Sequence, residues 1–537
     1  MFSKYGNSYG SFLFDRREFC TKDPEMMRQI FIKEFSHFQN RFNLLPERKE
    51  APKSLMRNML SVLCDEDWKR VRNRITPAFT TGKLKKLIPI LCDSSERLCK
   101  VIEKDYAQEQ KELPLKDIYG RFLLDVIGRS GFSLDLNTFE EENIFVEQAR
   151  SVFNFGQRGQ RIRLILAMFF PLMSVFYEHL TGKNFTFSVD EQFFIDMMSD
   201  LYKKRRADPE AKEKYSDIFQ LLMNVVDEED ESMHGNAISA DDAEIFHKEL
   251  RTNDQQKQQG KHLTRIELFA QSFIILIAGF ETTGATLTFA TYMLAIETEV
   301  QEKLRSEVND VLGEKELMTY EDLRQMHYLR AVVQETLRMF PVAPKINREC
   351  NSDCVINGVP FQKGDLVSVP VYFIQHDEAF FPEPDQFDPE RFMPAQKTTH
   401  DPLAFLTFGL GPRNCIGMRF AEFQMHVALA LVVRRFRFTP GPNTTVGKNR
   451  GQKNATKYTQ NVCSKYYKTV PNSVCIRVAP GYPKPETRPE VVFSADLIRN
   501  PTRHFFRPGT SLKYPPKLLS SDMLRTEEPL VVIAEKI

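Results

Sequence analysis

One cysteine of the chain stands among residues that suit an anionic ligand. Cys415 lies in the run FGLGPRNCIG, after Gly409 and Gly411, and an apolar helix is predicted to begin directly after Gly417. Glycines permit a tight loop whose backbone amides point at the sulfur, and the N-terminus of the following helix adds partial positive charge. Both effects stabilise a thiolate. We therefore interpret Cys415 as a candidate anionic ligand, with an inert buried thiol as the alternative.

A carboxyl group and a hydroxyl group stand in the middle of a long apolar segment. Residues 269–295 contain Glu281 and Thr282, with Gly279 and Gly284 close by. Glycine weakens a helix by about 1 kcal/mol relative to alanine, and threonine can hydrogen-bond back to the preceding turn. A loosened turn that carries both groups would suit proton delivery to a molecule bound beside it. A kinked helix with a solvated glutamate is the alternative.

Three further charged residues could form an ion cluster. Glu335 and Arg338 stand three positions apart in ETLR, on one face of a helix that Pro341 is expected to end. Arg391 follows in PERF, and its planar guanidinium could complete a fixed three-member arrangement. We predict a structural rather than a catalytic role for this triad, with an ordinary solvated ion pair as the alternative.

The periodicity of apolar residues predicts a mainly α fold with a small β portion. Helical spacing dominates residues 23–340 and returns after the cysteine loop. Residues 355–370 have the character of short strands, and Asn357-Gly358 is typical of a tight hairpin turn. The elements that must position the candidate residues are therefore helices, joined by one short β region.

The apolar segment is predicted to be a core helix rather than a membrane span. Thr264 and Glu267 form a capping box directly before it, which marks a helix start. Gln271 and Glu281 lie within residues 269–295, and an ionisable group near the centre of a bilayer would be costly.

Composition and charge exclude several classes of protein. The chain has 537 residues, of which 42% are hydrophobic and 27% charged, as in a folded soluble protein. The net charge of +1 gives no electrostatic reason to expect nucleic acid as a partner. Nine cysteines are scattered without CxxC pairs or zinc-finger spacing, which favours a reducing compartment and mostly inert thiols.

Taken together, the motifs resemble those of a known superfamily. FGxGxRxCxG around Cys415, AGFETT around Glu281, and ETLR followed by PERF resemble, in this order, the motifs of the cytochrome P-450 haem-thiolate monooxygenases. In detail the chain is similar to the microsomal group that contains thromboxane synthase and the drug-oxidising 3A enzymes. The resemblance covers about residues 4–444 and resumes near residue 512. It implies the cytochrome P-450 fold and haem b, with Cys415 as the iron ligand.

The resemblance also assigns roles to individual positions. Those that match the family's haem contacts are Trp68, Arg72, Arg348, Phe408, Arg413 and Cys415. Those that match the wall of the substrate pocket are Ala278, Val342 and Ala343. For Trp68 the alternative is an ordinary core anchor, and for Arg72 a surface charge.

The implied reaction inserts one oxygen atom of O2 into a lipophilic small molecule, with Glu281 and Thr282 supplying protons. The chain has no nicotinamide or flavin fingerprint, so electrons must come from outside. The microsomal relatives use an NADPH-dependent flavoprotein reductase, and cytochrome b5 is a second candidate partner. The basic residues that could contribute to a docking face are Lys69, Arg70, Lys85 and Lys86. An ordinary solvated charge is the alternative for each.

Two other functions are compatible with the same scaffold. An isomerase such as thromboxane synthase rearranges a peroxide and needs no reductase, and enzymes of that kind tend to lack the distal threonine pair. Thr282 and Thr283 are present here, which favours the monooxygenase. The other alternative is an inactive haem-binding product. The sequence does not identify the substrate.

The chain is predicted to consist of three segments. Residues 1–444 form the cytochrome P-450 domain, residues 445–511 an atypical insert, and residues 512–537 the C-terminal strands of the domain. The insert has 12 Lys and Arg against 3 Asp and Glu, matches nothing in the family that we recognise, and is predicted to be disordered. A basic interaction loop is the alternative.

The expected location is the cytosolic face of the endoplasmic reticulum membrane, with peripheral membrane contact. Members of the microsomal group begin with an anchoring helix, whereas this chain opens with the polar run MFSKYGNSYG. We therefore expect either a truncated start or an unusually soluble form.

Overall fold

The computed structural model describes residues 2–13, 16–42, 54–139, 144–152, 190–230, 263–315, 317–396, 401–444 and 530–537, with isolated positions between 163 and 185. The predicted insert, residues 445–511, lies outside the described residues, as does most of the predicted C-terminal segment.

Helices make up most of the described chain. In chain order they are α1 (Phe2–Tyr5), α2 (Pro24–Arg28), α3 (Leu55–Asn58), α4 (Asp65–Ile75), α5 (Thr81–Lys85), α6 (Ile88–Ile102), α7 (Leu115–Phe132), α8 (Ile144–Ser151), α9 (Glu191–Arg206), α10 (Ala211–Lys214), α11 (Ile218–Asp230), α12 (Arg265–Ile296), α13 (Thr298–Leu312), α14 (Tyr320–Gln325), α15 (His327–Met339), α16 (Val371–Gln375) and α17 (Met418–Arg435). Short 3₁₀ and π turns lie at Gln29–Lys33, Phe35–His37, Thr76–Phe79, Glu103–Ala107, Pro389–Phe392, Pro394–Gln396 and Pro402–Ala404.

Three small sheets accompany the helices. Their strands are β1 (Ser8–Leu13), β2 (Arg16–Thr21), β3 (Glu112–Pro114), β4 (Ile346–Glu349), β5 (Cys354–Ile356), β6 (Val359–Phe361), β7 (Leu366–Val369), β8 (Phe436–Thr439) and β9 (Val531–Lys536). The strand orders are β1-β2-β7-β4, β3-β9-β8 and β5-β6, and only the β2–β7 pair among these strands is parallel. Asn357 and Gly358 join β5 to β6 with positive φ angles of 47° and 79°, which confirms the predicted hairpin turn. The predicted fold class, mainly α with a small β portion, is also confirmed.

α12 runs through the larger hydrophobic core, as predicted. The capping box at its start is confirmed, because the Thr264 hydroxyl accepts the Glu267 amide at 3.3 Å and the Glu267 carboxylate accepts the Thr264 amide at 2.9 Å. Within the described chain α12 alone is long and apolar enough to cross a membrane, yet 67% of its most apolar stretch is buried inside the protein. Helices α3, α7, α15 and α17 pack against it. A core helix therefore accounts for it better than a membrane span.

The hairpin of β1 and β2 was not predicted. Its second strand pairs with β7, and Glu18 stands opposite Leu366 in that register. Glu18 is buried, and its carboxylate accepts hydrogen bonds from Lys345 and Ser368, both at 2.6 Å. Because these partners lie more than 320 positions away, local patterning could not reveal this polar strand pair.

Candidate active site

The loop before α17 has a backbone that only glycine can follow at one point. Gly409 and Gly411 have positive φ angles of 80° and 72°. A Cβ atom on Gly411 would lie 1.9 Å from the carbonyl oxygen of Phe31, so no side chain fits there. The loop closes through the Cys415 amide, which donates to the Phe408 carbonyl at 2.8 Å. The cysteine is thus held by the tight turn that its sequence predicts.

The side chain of Cys415 is accessible although its surroundings are buried. Its side chain is exposed, yet burial in its wider surroundings is the strongest influence on its pKa and raises it above the ordinary cysteine value. A sulfur that opens onto an internal cavity accounts for both observations. The amide of Gly417 and the positive charges of Arg41 and Arg72 oppose burial and lower the pKa. A metal ion bound to the sulfur would lower the pKa of Cys415 further and so favour the thiolate.

Four arginines cluster beside this cysteine. They are Arg41, Arg72, Arg348 and Arg413. Among the described residues, none of the four has a carboxylate within ion-pair distance, and the Nε atoms of Arg348 and Arg413 are buried without a hydrogen-bond partner. Burial and the charge of Arg41 lower the pKa of Arg348, and they lower the pKa of Arg413 to about 9. Buried positive charge of this kind fits a ligand that carries carboxylates.

Neighbouring groups hold these guanidinium groups in place. Arg41 donates to the carbonyl of Arg413 at 2.8 Å, and Arg72 donates to the backbone and side-chain oxygens of Asn414, both at 3.0 Å. The Trp68 ring centroid lies 4.5 Å from the Arg413 guanidinium carbon, and Trp68 is 5% exposed. α4 therefore supplies both a core anchor that supports one arginine and, one turn later, another arginine of the cluster.

Two members of the cluster reach it from distant parts of the chain. Arg348 extends from β4, donates to the Leu410 carbonyl at 3.2 Å and lies 4.8 Å from the centroid of the Phe31 ring. Arg41 was not predicted, since it belongs to no motif. Only its contact with Arg413, 372 positions later, shows that it belongs to the site.

One face of α12 is open in the middle of the core. Ala278 is exposed and Thr282, one turn later, is half-buried, whereas most of the helix around them is buried. The Thr282 hydroxyl donates to the Ala278 carbonyl at 2.6 Å. We infer from this open strip on an otherwise buried helix that it lines an internal cavity, where a bound molecule could touch both residues.

Gly279 and Gly284 were expected to loosen a turn of the central helix. α12 is a continuous α-helix through Gly279 and Gly284, so the predicted loosening of the turn is wrong. A Cβ atom on Gly279 would come within 3.1 Å of Ile127, and one on Gly284 within 3.3 Å of Leu123. The glycines therefore allow α7 to pack closely against α12.

Glu281 faces α7 rather than Thr282. It is 8% exposed, and its carboxylate lies 3.8 Å from the Nζ atom of Lys116, whose side chain is 54% exposed. Adjacent positions on a helix point about 100° apart, so the carboxyl and the hydroxyl serve different sides of α12. The partner Lys116 was not predicted.

Glu335, Arg338 and Arg391 come together as a buried ion cluster. Arg338 donates two hydrogen bonds to the Glu335 carboxylate, at 2.7 and 2.8 Å, and neither side chain has any exposed surface. The Nε atom of Arg391 lies 3.4 Å from the same carboxylate, which also accepts the Asp388 amide at 2.9 Å. The triad ties α15 to the PERF turn.

Gln375, which sequence analysis missed, connects this triad to the cysteine loop. Its side-chain amide donates to the carbonyls of Leu337 and Arg338 at 3.1 and 2.9 Å. Its oxygen accepts the Leu406 amide at 3.0 Å, shortly before Phe408. Gln375 is fully buried. These three hydrogen bonds therefore fix the position of the cysteine loop relative to α15.

The remaining predicted pocket residues follow α15. Val342 is 8% exposed and Ala343 is half-buried. They stand just after Phe340, whose ring stacks on Phe289 of α12 with centroids 4.2 Å apart. This stacking anchors the segment to the central helix, but their role in binding substrate stays a prediction.

The basic residues considered for a docking face have different surroundings. Arg70 donates to the buried carboxylate of Glu267 at 2.6 and 3.0 Å, so its charge is committed to the start of α12. Lys85 lies 3.8 Å from the centroid of the Tyr320 ring. The other two residues, Lys69 and Lys86, are exposed. Arg70 is therefore an unsuitable member of such a face.

Known proteins resemble the chain over most of its length. The family model described as Cytochrome P450 matches residues 1–461. The chain is 34% identical to Cytochrome P450 3A41 of Mus musculus over 449 residues, and 34% identical to Cytochrome P450 3A5 of Homo sapiens over 447 residues. It is also 34% identical to Cytochrome P450 3A29 of Sus scrofa over 449 residues. Each match covers 83% of this chain and 81% of the relative.

Proposed function

The chain belongs to the cytochrome P450 family, and we propose that it oxidises lipophilic small molecules with electrons from an NADPH-dependent flavoprotein reductase. Membership of the family makes it a cytochrome P450 monooxygenase with haem b as its cofactor. The observation that carries the proposal is the cluster of four arginines beside the cavity-facing sulfur of Cys415.

The donor set fits haem b. Cys415 would ligate the iron, since its sulfur is open to the cavity. The arginine cluster would bind the two propionates, which would supply the negative charge that the described residues around it lack. When bound, a haem with a thiolate ligand supplies the activation of O2.

The residues of α12 would hold and pass protons at the cavity. The Thr282 hydroxyl donates to the Ala278 carbonyl, so its oxygen remains able to accept a hydrogen bond from the cavity side. The Glu281 carboxyl lies beside Lys116, which reaches solvent, and could exchange protons with water there. Thr282 would thus act next to the bound molecule, and Glu281 between it and solvent.

Substrate class and location follow from the same proposal. Ala278, Val342 and Ala343 would present an apolar wall to the substrate, which supports a lipophilic molecule. The relatives are cytochromes P450 of the 3A group, so we place the protein at the endoplasmic reticulum, on the cytosolic face of the membrane. Lys69, Lys85 and Lys86 would contribute to the reductase contact, and cytochrome b5 is a second candidate for it.

A turnover assay tests the proposal. The purified haem-loaded protein is mixed with a flavoprotein reductase, NADPH, ¹⁸O2 and a panel of lipophilic compounds. We expect NADPH consumption and a product that carries one ¹⁸O atom, both dependent on the reductase.

A control without reductase separates the alternatives. Conversion of an organic peroxide that needs neither reductase nor NADPH would move the protein to the isomerase class. Haem-loaded protein that consumes no NADPH and converts no peroxide would favour an inactive haem-binding product.

A further inference from the structure

A separate cavity lies beside α17. Its volume is about 250 Å³, and its walls come from α5, α14, α15 and α17. None of the residues assigned to the haem or to the substrate pocket lines it. We therefore considered it as a separate site.

Positive charge dominates the rim of this cavity. Arg324, Arg330 and Arg419 all line it and are all exposed. Within the described part of the chain, none of the three guanidinium groups has a carboxylate within ion-pair distance or donates a hydrogen bond. Among the described residues of the lining, Glu422 alone is acidic, so positive charge is in excess there. Guanidinium groups recognise carboxylate and phosphate oxygens through paired hydrogen bonds.

The cavity also contains a buried polar atom without a partner. His426 lines it and is 7% exposed, and its Nε2 atom has no hydrogen-bond partner among the residues that the structure describes. Burial, assisted by the charge of Arg330, lowers the pKa of His426 to about 3, so the imidazole is neutral near pH 7. Buried polar atoms are almost always satisfied by protein, water or ligand. A ligand or water in the cavity would therefore complete this group.

The remaining wall is aromatic. Tyr320 and Phe423 line the cavity and contact each other edge to face, with centroids 5.6 Å apart. Lys85 covers the Tyr320 ring at 3.8 Å and so helps to fix its position. Such a wall suits the flat apolar part of a ligand. The volume is below the usual range of drug-sized pockets, so the ligand must be small.

We propose that this cavity binds a small aromatic anion, with its carboxylate or phosphate on Arg330 and Arg419 and its ring against Phe423. His426 would complete the site with a hydrogen bond to the ligand. Glu422, which the charges of Arg330 and Arg419 influence, would disfavour ligands with more than one anionic group close to it.

Calorimetric titration of the haem-loaded protein with phenyl phosphate and with inorganic phosphate tests the proposal. Phenyl phosphate should bind more tightly than inorganic phosphate, because only the former uses the aromatic wall. Arg330→Gln and Arg419→Gln should each weaken phenyl phosphate binding by about 10-fold or more, since a charge-assisted hydrogen bond is lost. Arg437→Gln is the matched control, because Arg437 is an exposed arginine of β8 outside the cavity.

His426→Phe provides a second variant, which removes the hydrogen-bonding imidazole with little change in size. It should weaken phenyl phosphate binding while the circular dichroism spectrum and haem content stay unchanged. Absence of phenyl phosphate binding to the wild type at millimolar concentration would overturn the proposal. Equal binding by the wild type, Arg330→Gln and His426→Phe would do the same, because it would place the ligand elsewhere.

Discussion

The Glu335 triad and the arginine cluster beside Cys415 both contain buried positive charge, but within the described chain only the triad contains a carboxylate partner for it. In the Glu335 triad, Arg338 meets a carboxylate in a two-bond contact, and both side chains are fully buried. In the cluster beside Cys415, none of the four arginines has a carboxylate within ion-pair distance among the described residues, and burial and the charge of Arg41 lower the pKa values of Arg348 and Arg413. We call the first cluster satisfied, because its guanidinium groups meet a carboxylate and removing that partner would leave a buried charge alone. We call the second unsatisfied, because it has no such partner, and we interpret it as a site for an anionic ligand.

The largest expected effect comes from breaking the satisfied cluster. Glu335→Ala leaves Arg338 buried without a counterion, and the free energy of unfolding should fall by about 3–5 kcal/mol. Chemical denaturation and haem content measure this effect. Glu390→Ala is the control, since Glu390 lies in the same turn as Arg391 and, among the described residues, its carboxylate pairs only with the exposed Lys303. It should cost about 0–1 kcal/mol.

The triad would lose its structural role if the variant stayed intact. A stable, haem-loaded Glu335→Ala protein with slower turnover alone would show that the cluster acts in the reaction.

Removing a charge from the unsatisfied cluster should have a different consequence. Arg348→Met should keep the fold but bind haem about 10–100-fold more weakly, because a partner of the propionates is lost. The rate of haem transfer to an excess of apomyoglobin measures this change. Arg437→Met, an exposed arginine, should leave the rate unaltered. Unfolding of Arg348→Met to the same extent as Glu335→Ala would erase the distinction between the two regions.

On the cavity side of α12 we expect a change in the reaction, with no effect on the fold or on haem binding. Thr282→Ala should leave haem binding and stability unchanged, while less of the NADPH consumed ends in product and more in hydrogen peroxide. Loss of a proton-delivery group typically costs about 10²–10⁴ in rate, and water in the cavity should replace part of it. The ratio of product to NADPH consumed is the measurement.

Thr288→Ala is the matched control for this helix. Thr288 makes the same type of bond, to the Gly284 carbonyl at 2.7 Å, but is buried away from the open face. Equal ratios in the wild type, Thr282→Ala and Thr288→Ala would mean that Thr282 only shapes the helix.

The smallest effect is expected from a third basic region, the predicted insert at residues 445–511. Thr444 donates to the Val531 carbonyl at 2.6 Å, and β9 pairs with β8, so the chain returns to the point from which it left. Deletion of residues 445–511 should therefore leave haem incorporation unchanged or raise it, as measured from the haem-to-protein ratio. Failure of the shortened protein to fold would assign the segment to the core.

The sequence predicted those features of the molecule that depend on residues close together in the chain. The glycine loop of Cys415, the capping box of Thr264 and the i,i+3 pair of Glu335 and Arg338 are set by neighbours within a few positions. Their geometry could be expected before the structure was known. Even here the role of Gly279 was misjudged, because a helical glycine serves the neighbouring helix as well as its own.

The site residues that were not predicted from the sequence depend on contacts between distant segments of the chain. Arg41 joins the cluster through a contact 372 positions away, and Gln375 bridges α15 to the cysteine loop. Lys116 meets Glu281 only because α7 packs against α12. Such partners carry no local signal. They become visible only when the fold brings their elements together.

The most direct test of the account is the carbon monoxide difference spectrum of the reduced protein, recorded for the wild type, Cys415→Ala and Cys64→Ala. Cys64 is an exposed cysteine outside the loop and serves as the control. The account predicts a thiolate-type spectrum for the wild type and Cys64→Ala, and its loss in Cys415→Ala. A thiolate-type spectrum in Cys415→Ala would contradict the assignment of Cys415 as the iron ligand.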